Sequence, residues 1–179
     1  TPETAVEIPE ALGGDIMMAF DHCVALPADR VIVRDAVRRT TLWAQRCQAS
    51  RRRRDQALFG IAQGGLDADL RVTSARGRAG LGFEGYAVGG LSVGESKAEM
   101  YAMLDVTVLE LPTSKPRYLM GAGIPEDLGE GAARGIDLFD LVVLSLHGRT
   151  GSLFTLFGGV LMNPARYVSV CHPSALPRA

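Results

Sequence analysis

Residues 85–95 read "GYAVGGLSVGE". Tyr86, Ala87 and Val88 form a short apolar run without polar alternation, the pattern of a strand covered on both faces. The run ends in Gly89 and Gly90, and an acid, Glu95, follows closely. Glycine carries no Cβ, so a glycine pair at a strand exit leaves bare backbone that a ligand can approach. A buried strand opening onto such a rim suggests a parallel sheet with its site at the strand ends.

Four other apolar runs share this character: "DIMMAF" (15–20), "ALFGIA" (57–62), "RYLMG" (117–121) and "LFDLVVL" (138–144). With residues 85–90 they give five expected strands. Helical spacing separates them. Val33, Val37, Trp43, Ala44 and Cys47 recur near helical spacing, and Leu66, Leu70, Ala75 and Ala79 do roughly the same. "SKAEMYAMLDVTVLEL" has Ser96 placed as an N-cap with Glu99 three residues on, a capping box. "PEDLGEGAARG" begins with Pro125 and acids and stops at Gly135, a suitable C′ residue. The order β-α-β-α-β-α-β-α-β is that of an α/β fold with right-handed crossovers.

Composition sets outer bounds. The chain has 179 residues, 47% apolar and 22% charged, enough for one domain with a core. Its net charge of −1 gives no overall signal for nucleic acid, so any polyanion contact needs a local patch. Cys23, Cys47 and Cys171 are widely separated, which argues against a disulfide framework and fits a reducing cytosol. No apolar run is long enough to span a bilayer, and no signal peptide opens the sequence. The start, "TPETAVEIPEALGGD", reads like the middle of a protein. "RRRR" at 51–54 reads as a solvated helix end, with a basic RNA patch as the alternative.

In parallel α/β folds ligands bind beyond the carboxyl ends of the strands. Those exits here carry Asp21-His22-Cys23, Gln63-Gly64-Gly65, Gly89-Gly90-Leu91 and Met120-Gly121-Ala122-Gly123, with Asp140 in the last run. Asp21 as acceptor and Gln63 as donor and acceptor suit the edge of a polar heterocycle. A second carboxylate in apolar surroundings, Asp140, suits a base or nucleophile. Bland readings stand beside these: Asp21 as an N-cap or turn residue, Gln63 satisfying loop backbone, Asp140 as an ion-paired acid, and the glycines as turn formers. His22-Cys23 and Cys171-His172 lack metal-ligand spacing.

The exits in this order resemble the tRNA-guanine transglycosylase family. The carrying motifs are "DIMMAFDHC", "ALFGIAQGG", "GYAVGGLSVGE", "RYLMGAGIPEDL", "RGIDLFD" and "GRTGSLFT", and the resemblance covers about residues 11–167. It implies a (β/α)8 TIM barrel, here only its middle and later βα units, as a single partial-barrel domain over residues 1–179. It also implies a transferase that exchanges guanine at the tRNA wobble position for a 7-deazaguanine through a covalent aspartate intermediate. Asp140 matches the nucleophile. Asp21, Gln63, Gly89, Gly90 and Leu91 match the base-recognition groups, and Glu95 matches the acid that bonds the nearby peptide. Tyr118, Met120 and Gly121 match the pocket wall. RNA contact is implied for Gly121, Ala122, Gly123, Ile124, Pro125, Glu126 and Asp127, and for Ser145, Leu146, His147, Gly148 and Arg149. Val93, with Cys23, points to the bacterial type and so to preQ1 as incoming base. The implied partners are tRNA, guanine and preQ1, in the cytoplasm; a homodimer is left open.

Three departures qualify the match. The family's N-terminal third and its C-terminal Cys-x-Cys-x-x-Cys with a later His have no counterpart, so no zinc and no other cofactor is expected. The family's Cys-Val-Leu-Pro-Thr-Arg after the nucleophile is replaced by residues 141–146, "LVVLSL", which puts Leu146 at the arginine. Losing that planar donor would cost RNA affinity about 1–3 kcal/mol. A gene fragment, an enzyme compromised by truncation, is the simplest reading of these departures; the alternative is a non-catalytic RNA-binding or partner subunit, for which the changed flank argues and against which the retained Asp140 argues.

Overall fold

A computed structural model describes residues 1–155 and 158–161. Five strands form one sheet in sequential order: β1 (Ile16–Met18), β2 (Ala57–Ala62), β3 (Gly85–Val88), β4 (Arg117–Leu119) and β5 (Leu138–Phe139). Every neighbouring pair is parallel. The connecting helices are α2 (Arg30–Ser50), α3 (Ala68–Ala79), α4 (Lys97–Val108) and α5 (Pro125–Ala133), with α1 (Pro2–Leu12) ahead of β1. Sequentially ordered parallel strands, each followed by a helix, make an arc of a (β/α)8 barrel. Closing such a barrel takes eight strands. Among the described residues β1 and β5 each pair on one side only.

The interior explains the unbroken apolar strands. β3 is buried at all four positions and β2 at five of six. Leu58, Phe83, Tyr86 and Leu104 share one cluster with Cys47 of α2 and Leu119 of β4. Truncating a buried aromatic such as Phe83 to Ala would cost about 3–5 kcal/mol. The capping box at α4 forms as expected: Ser96 accepts from the Glu99 N–H, and the Glu99 side chain accepts from the Ser96 N–H. Gly135 adopts φ 86° just beyond α5, as a C′ glycine does.

Several expectations need correction. The run 138–144 is not one strand. β5 ends at Phe139, and a helix, α6 (Val142–Thr150), follows at once. A short apolar run does not distinguish strand from helix, and here Val142 is exposed rather than packed in a sheet. β1, β3 and β4 stop two residues earlier than expected, although Ala19, Gly89 and Met120, the first residue past each, still donate to the Phe59, Ala62 and Val88 carbonyls. α1 had not been expected; Thr1 caps it, and Gly13 closes it at φ 76°. An antiparallel hairpin, β6 (Ser152–Thr155) with β7 (Gly158–Leu161), was also unforeseen. The arginine run is not uniformly solvated. Arg51 is buried, pairs with Glu84 at 2.7 Å and donates to the Gln56 carbonyl. Arg52, Arg53 and Arg54 are exposed.

No helix of the described residues is long and apolar enough to cross a membrane.

Candidate active site

The strand exits converge. Gln63, Gly89, Met120 and Asp140 each directly follow the last residue of β2, β3, β4 and β5, and Asp21 lies three positions beyond β1. Together with Gly90, Leu91, Gly121, Cys23, Ser92 and Val93 they line one cleft of about 360 Å³. That volume suits a small planar ligand.

On one wall the Gln63 Nε2 donates to Asp21 Oδ2 at 2.6 Å. Gln63 is buried, and its own N–H donates to Ser74 Oγ of α3 at 3.0 Å, which fixes the start of the loop. Burial pushes the Asp21 carboxyl above the usual carboxylate range, and the Gln63 hydrogen bond offsets only part of that rise. The glycines keep this pair in place. A Cβ at Gly89 would come within 2.7 Å of Gln63 Nε2, and one at Gly90 would run into Gln63 Oε1.

At the exit of β5, Asp140 is exposed at the same cleft. Its Oδ1 accepts from the Tyr118 hydroxyl at 2.7 Å and from the Gly121 N–H at 2.6 Å. Both donors take the same oxygen, so Oδ2 is left without a bond from the described residues. Burial, and then the bond to Asp140, push the Tyr118 phenol up to about 12, so it remains a donor at neutral pH.

Above the rim, Glu95 accepts from the Ser92 N–H and, at 3.0 Å, from the Val93 N–H. The two bonds hold Ser92 at φ 60°, an uncommon conformation for a residue with a side chain. Cys23 is an exposed thiol whose titration is pushed up by partial burial and by the Asp21 carboxylate, so it stays protonated.

A family profile described as queuine tRNA-ribosyltransferase matches residues 1–175. A queuine tRNA-ribosyltransferase from Halothermothrix orenii is 50% identical over 167 residues, 93% of this chain and 45% of that protein. Namesakes from Herpetosiphon aurantiacus and Geobacillus thermodenitrificans are each 52% identical over 93% of this chain. The chain belongs to the queuine tRNA-ribosyltransferase family. It spans less than half the length of these curated relatives, 43–45% of each.

Within this family member, Glu95 and Tyr118 do not line the cleft and act on it through Ser92, Val93 and Asp140. In the segment 121–127, Gly121, Pro125 and Glu126 are exposed, Ile124 is half-buried, and Ala122 and Gly123 are buried. The Asp127 side chain is turned inward: Lys97 Nζ reaches both its oxygens at 2.5 and 2.6 Å, and the Tyr101 hydroxyl donates at 3.0 Å. It serves the α4–α5 packing, and as placed it is unavailable to an RNA strand. On α6, Ser145, Leu146, Gly148 and Arg149 are exposed, while His147 packs on the Phe154 ring at 4.8 Å. Among the described residues no three His, Cys, Asp or Glu side chains gather as a metal site. Cys171 and His172 lie outside the described residues.

Sequence reasoning missed Arg71 of α3, which is fully buried beside the cleft. It was hidden because an arginine in a first helical turn reads as a solvated residue.

Proposed function

We propose that this chain carries the base pocket and the nucleophile of a tRNA-guanine transglycosylase. Such an enzyme exchanges guanine at the tRNA wobble position for preQ1. The observation that carries the reading is that the hydrogen-bonded Asp21–Gln63 pair and Asp140 line one cleft.

The chemistry follows from these groups. Asp21 and Gln63 take the polar edge of the base, with the bare backbone of Gly89, Gly90 and Leu91 beside them. The target nucleotide leaves its stack to enter. The free Oδ2 of Asp140 attacks the ribose C1′. A C–O bond forms, the C1′–N9 bond breaks, and its electron pair leaves with guanine, which is protonated. The N9 of the incoming base, losing its proton, then attacks C1′ and returns the electron pair to Asp140. Dividing one difficult substitution into two is the gain of a covalent nucleophile. The Tyr118 and Gly121 donors keep the carboxylate oriented. Val93 at the rim limits the incoming base to a small 7-substituent, and Glu95 sets the loop peptide that meets it. The exposed residues of 121–126 and 145–149 offer the RNA contacts. The chain acts as a single partial-barrel domain on a cytoplasmic tRNA.

A second reading, an RNA-binding or partner subunit without catalysis, is favoured by the "LVVLSL" flank, where Leu146 replaces the family arginine.

Calorimetry with guanine and preQ1 tests the pocket. Both bases are expected to bind one site competitively, and Asp21→Asn to weaken both by about tenfold or more. Wild-type protein that binds neither base contradicts the reading.

A further inference from the structure

We infer that Arg71 is the positioning residue of the base-recognition loop: it holds back the carbonyls of Gly89 and Gly90 and so turns the N–H groups of Gly90 and Leu91 into the cleft as paired donors. The inference rests on the reading of that cleft as a base pocket, and it names the group that shapes the pocket from behind.

Arg71 is buried completely, in the first turn of α3. Its Nε donates to the Gly65 carbonyl at 2.8 Å, Nη1 to Gly89 at 2.6 Å and Nη2 to Gly90 at 2.9 Å. One planar fork therefore ties the exit of β2 to the exit of β3. An ammonium lacks that geometry.

The placement is costly. Among the described residues no carboxylate pairs with this cation, and the nearby Glu95 charge compensates it only at a distance. The positive end of the α3 dipole opposes it as well. Burial lowers its titration to about 10, which still leaves it charged at neutral pH. Packing alone would be better served by an apolar side chain. What the cation supplies is three directed donors to three carbonyls.

Those bonds have a consequence on the other side of the backbone. The peptides 89–90 and 90–91 are trans. In a trans peptide the N–H points opposite to the C=O. With both carbonyls held toward Arg71, the Gly90 and Leu91 N–H groups face away from it; these two residues line the cleft and Arg71 does not. Neither N–H is bonded to another described residue, whereas the Gly89 N–H still closes the ladder to Ala62. Gly90 at φ 64° makes the turn between them, directly over the Gln63 carboxamide. Two adjacent free N–H groups beside a carboxamide suit an acceptor oxygen on a heterocycle.

The test compares wild type with Arg71→Lys and Arg71→Met by amide resonances in isotope-labelled protein and by guanine calorimetry. In both variants the Gly90 and Leu91 resonances are expected to move or broaden while those of Val88 and Leu119 stay. Guanine affinity is expected to fall about tenfold. Unmoved Gly90 and Leu91 resonances in both variants overturn the inference, as does a displaced loop with affinity unchanged. Loss of the Val88 and Leu119 signals in both variants also overturns it, because Arg71 would then serve the fold at large. If wild type binds no guanine, the pocket reading fails separately, and the resonances alone decide the role of Arg71.

Discussion

The Tyr118 hydroxyl lies 2.7 Å from Asp140 Oδ1, and the Gly121 N–H reaches the same oxygen. Two donors on one oxygen orient a carboxylate and leave its partner oxygen without a bond from the described residues. Tyr118→Phe removes one of them. Covalent capture of RNA is expected to slow about tenfold, because a carboxylate free to rotate is less often in line with C1′, while guanine affinity stays unchanged. Single-turnover kinetics beside calorimetry checks this, and an equal or faster rate contradicts it. In Asp140→Asn the Tyr118 phenol should titrate below about 12 yet above its ordinary value, since burial, the larger cause, persists.

Asp21 links stability to pH. Its folded-state pKa is raised by burial, so the folded protein holds this proton more tightly than the unfolded chain. The stability it contributes is complete below the unfolded pKa and is lost as pH rises through the folded one. At neutral pH the half-buried charge is therefore a burden. Asp21→Asn, which still offers Gln63 an acceptor, should show an equal or higher melting temperature at neutral pH, with the gain vanishing in acid. A lower melting temperature at neutral pH contradicts this.

Gly90 and Gly121 separate backbone strain from pocket collision. Both have positive φ, 64° and 71°. A Cβ at Gly90 meets Gln63, whereas one at Gly121 meets open space. Each alanine is expected to cost about 1–2 kcal/mol of stability from backbone conformation. Gly90→Ala should in addition abolish base binding by displacing Gln63. Chemical denaturation beside calorimetry reads the two effects apart.

Val93 is 42% exposed at the cleft rim, on a loop that Glu95 holds. Val93→Gly should raise affinity for queuine relative to preQ1 by about tenfold, since the lost side chain relieves a steric limit. An unchanged ratio in competition binding removes Val93 as a determinant of size.

The sheet was legible because β2 and β3 are buried along their length and so read as unbroken apolar runs. The capping box at Ser96 was legible because its two bonds are local in sequence. The 138–144 run misled because apolar content does not reveal where a strand gives way to a helix. At Asp140 the side chain is tied to Tyr118 and Gly121, 22 and 19 residues earlier, and such non-local bonds leave no periodic trace. The cleft was visible as a set of strand exits. Arg71 was not, since its three acceptors are backbone carbonyls, which no residue type announces.

The central claim is that Asp140 forms a covalent bond to RNA within this base pocket. Incubating the chain with unmodified tRNA and excess guanine, followed by denaturing electrophoresis and mass analysis of the peptide containing Asp140, measures it directly. The expected result is an adduct that resists denaturation, maps to Asp140 and is absent in Asp140→Asn. An adduct that persists in Asp140→Asn, or wild-type protein that binds guanine and tRNA without forming one, contradicts the account.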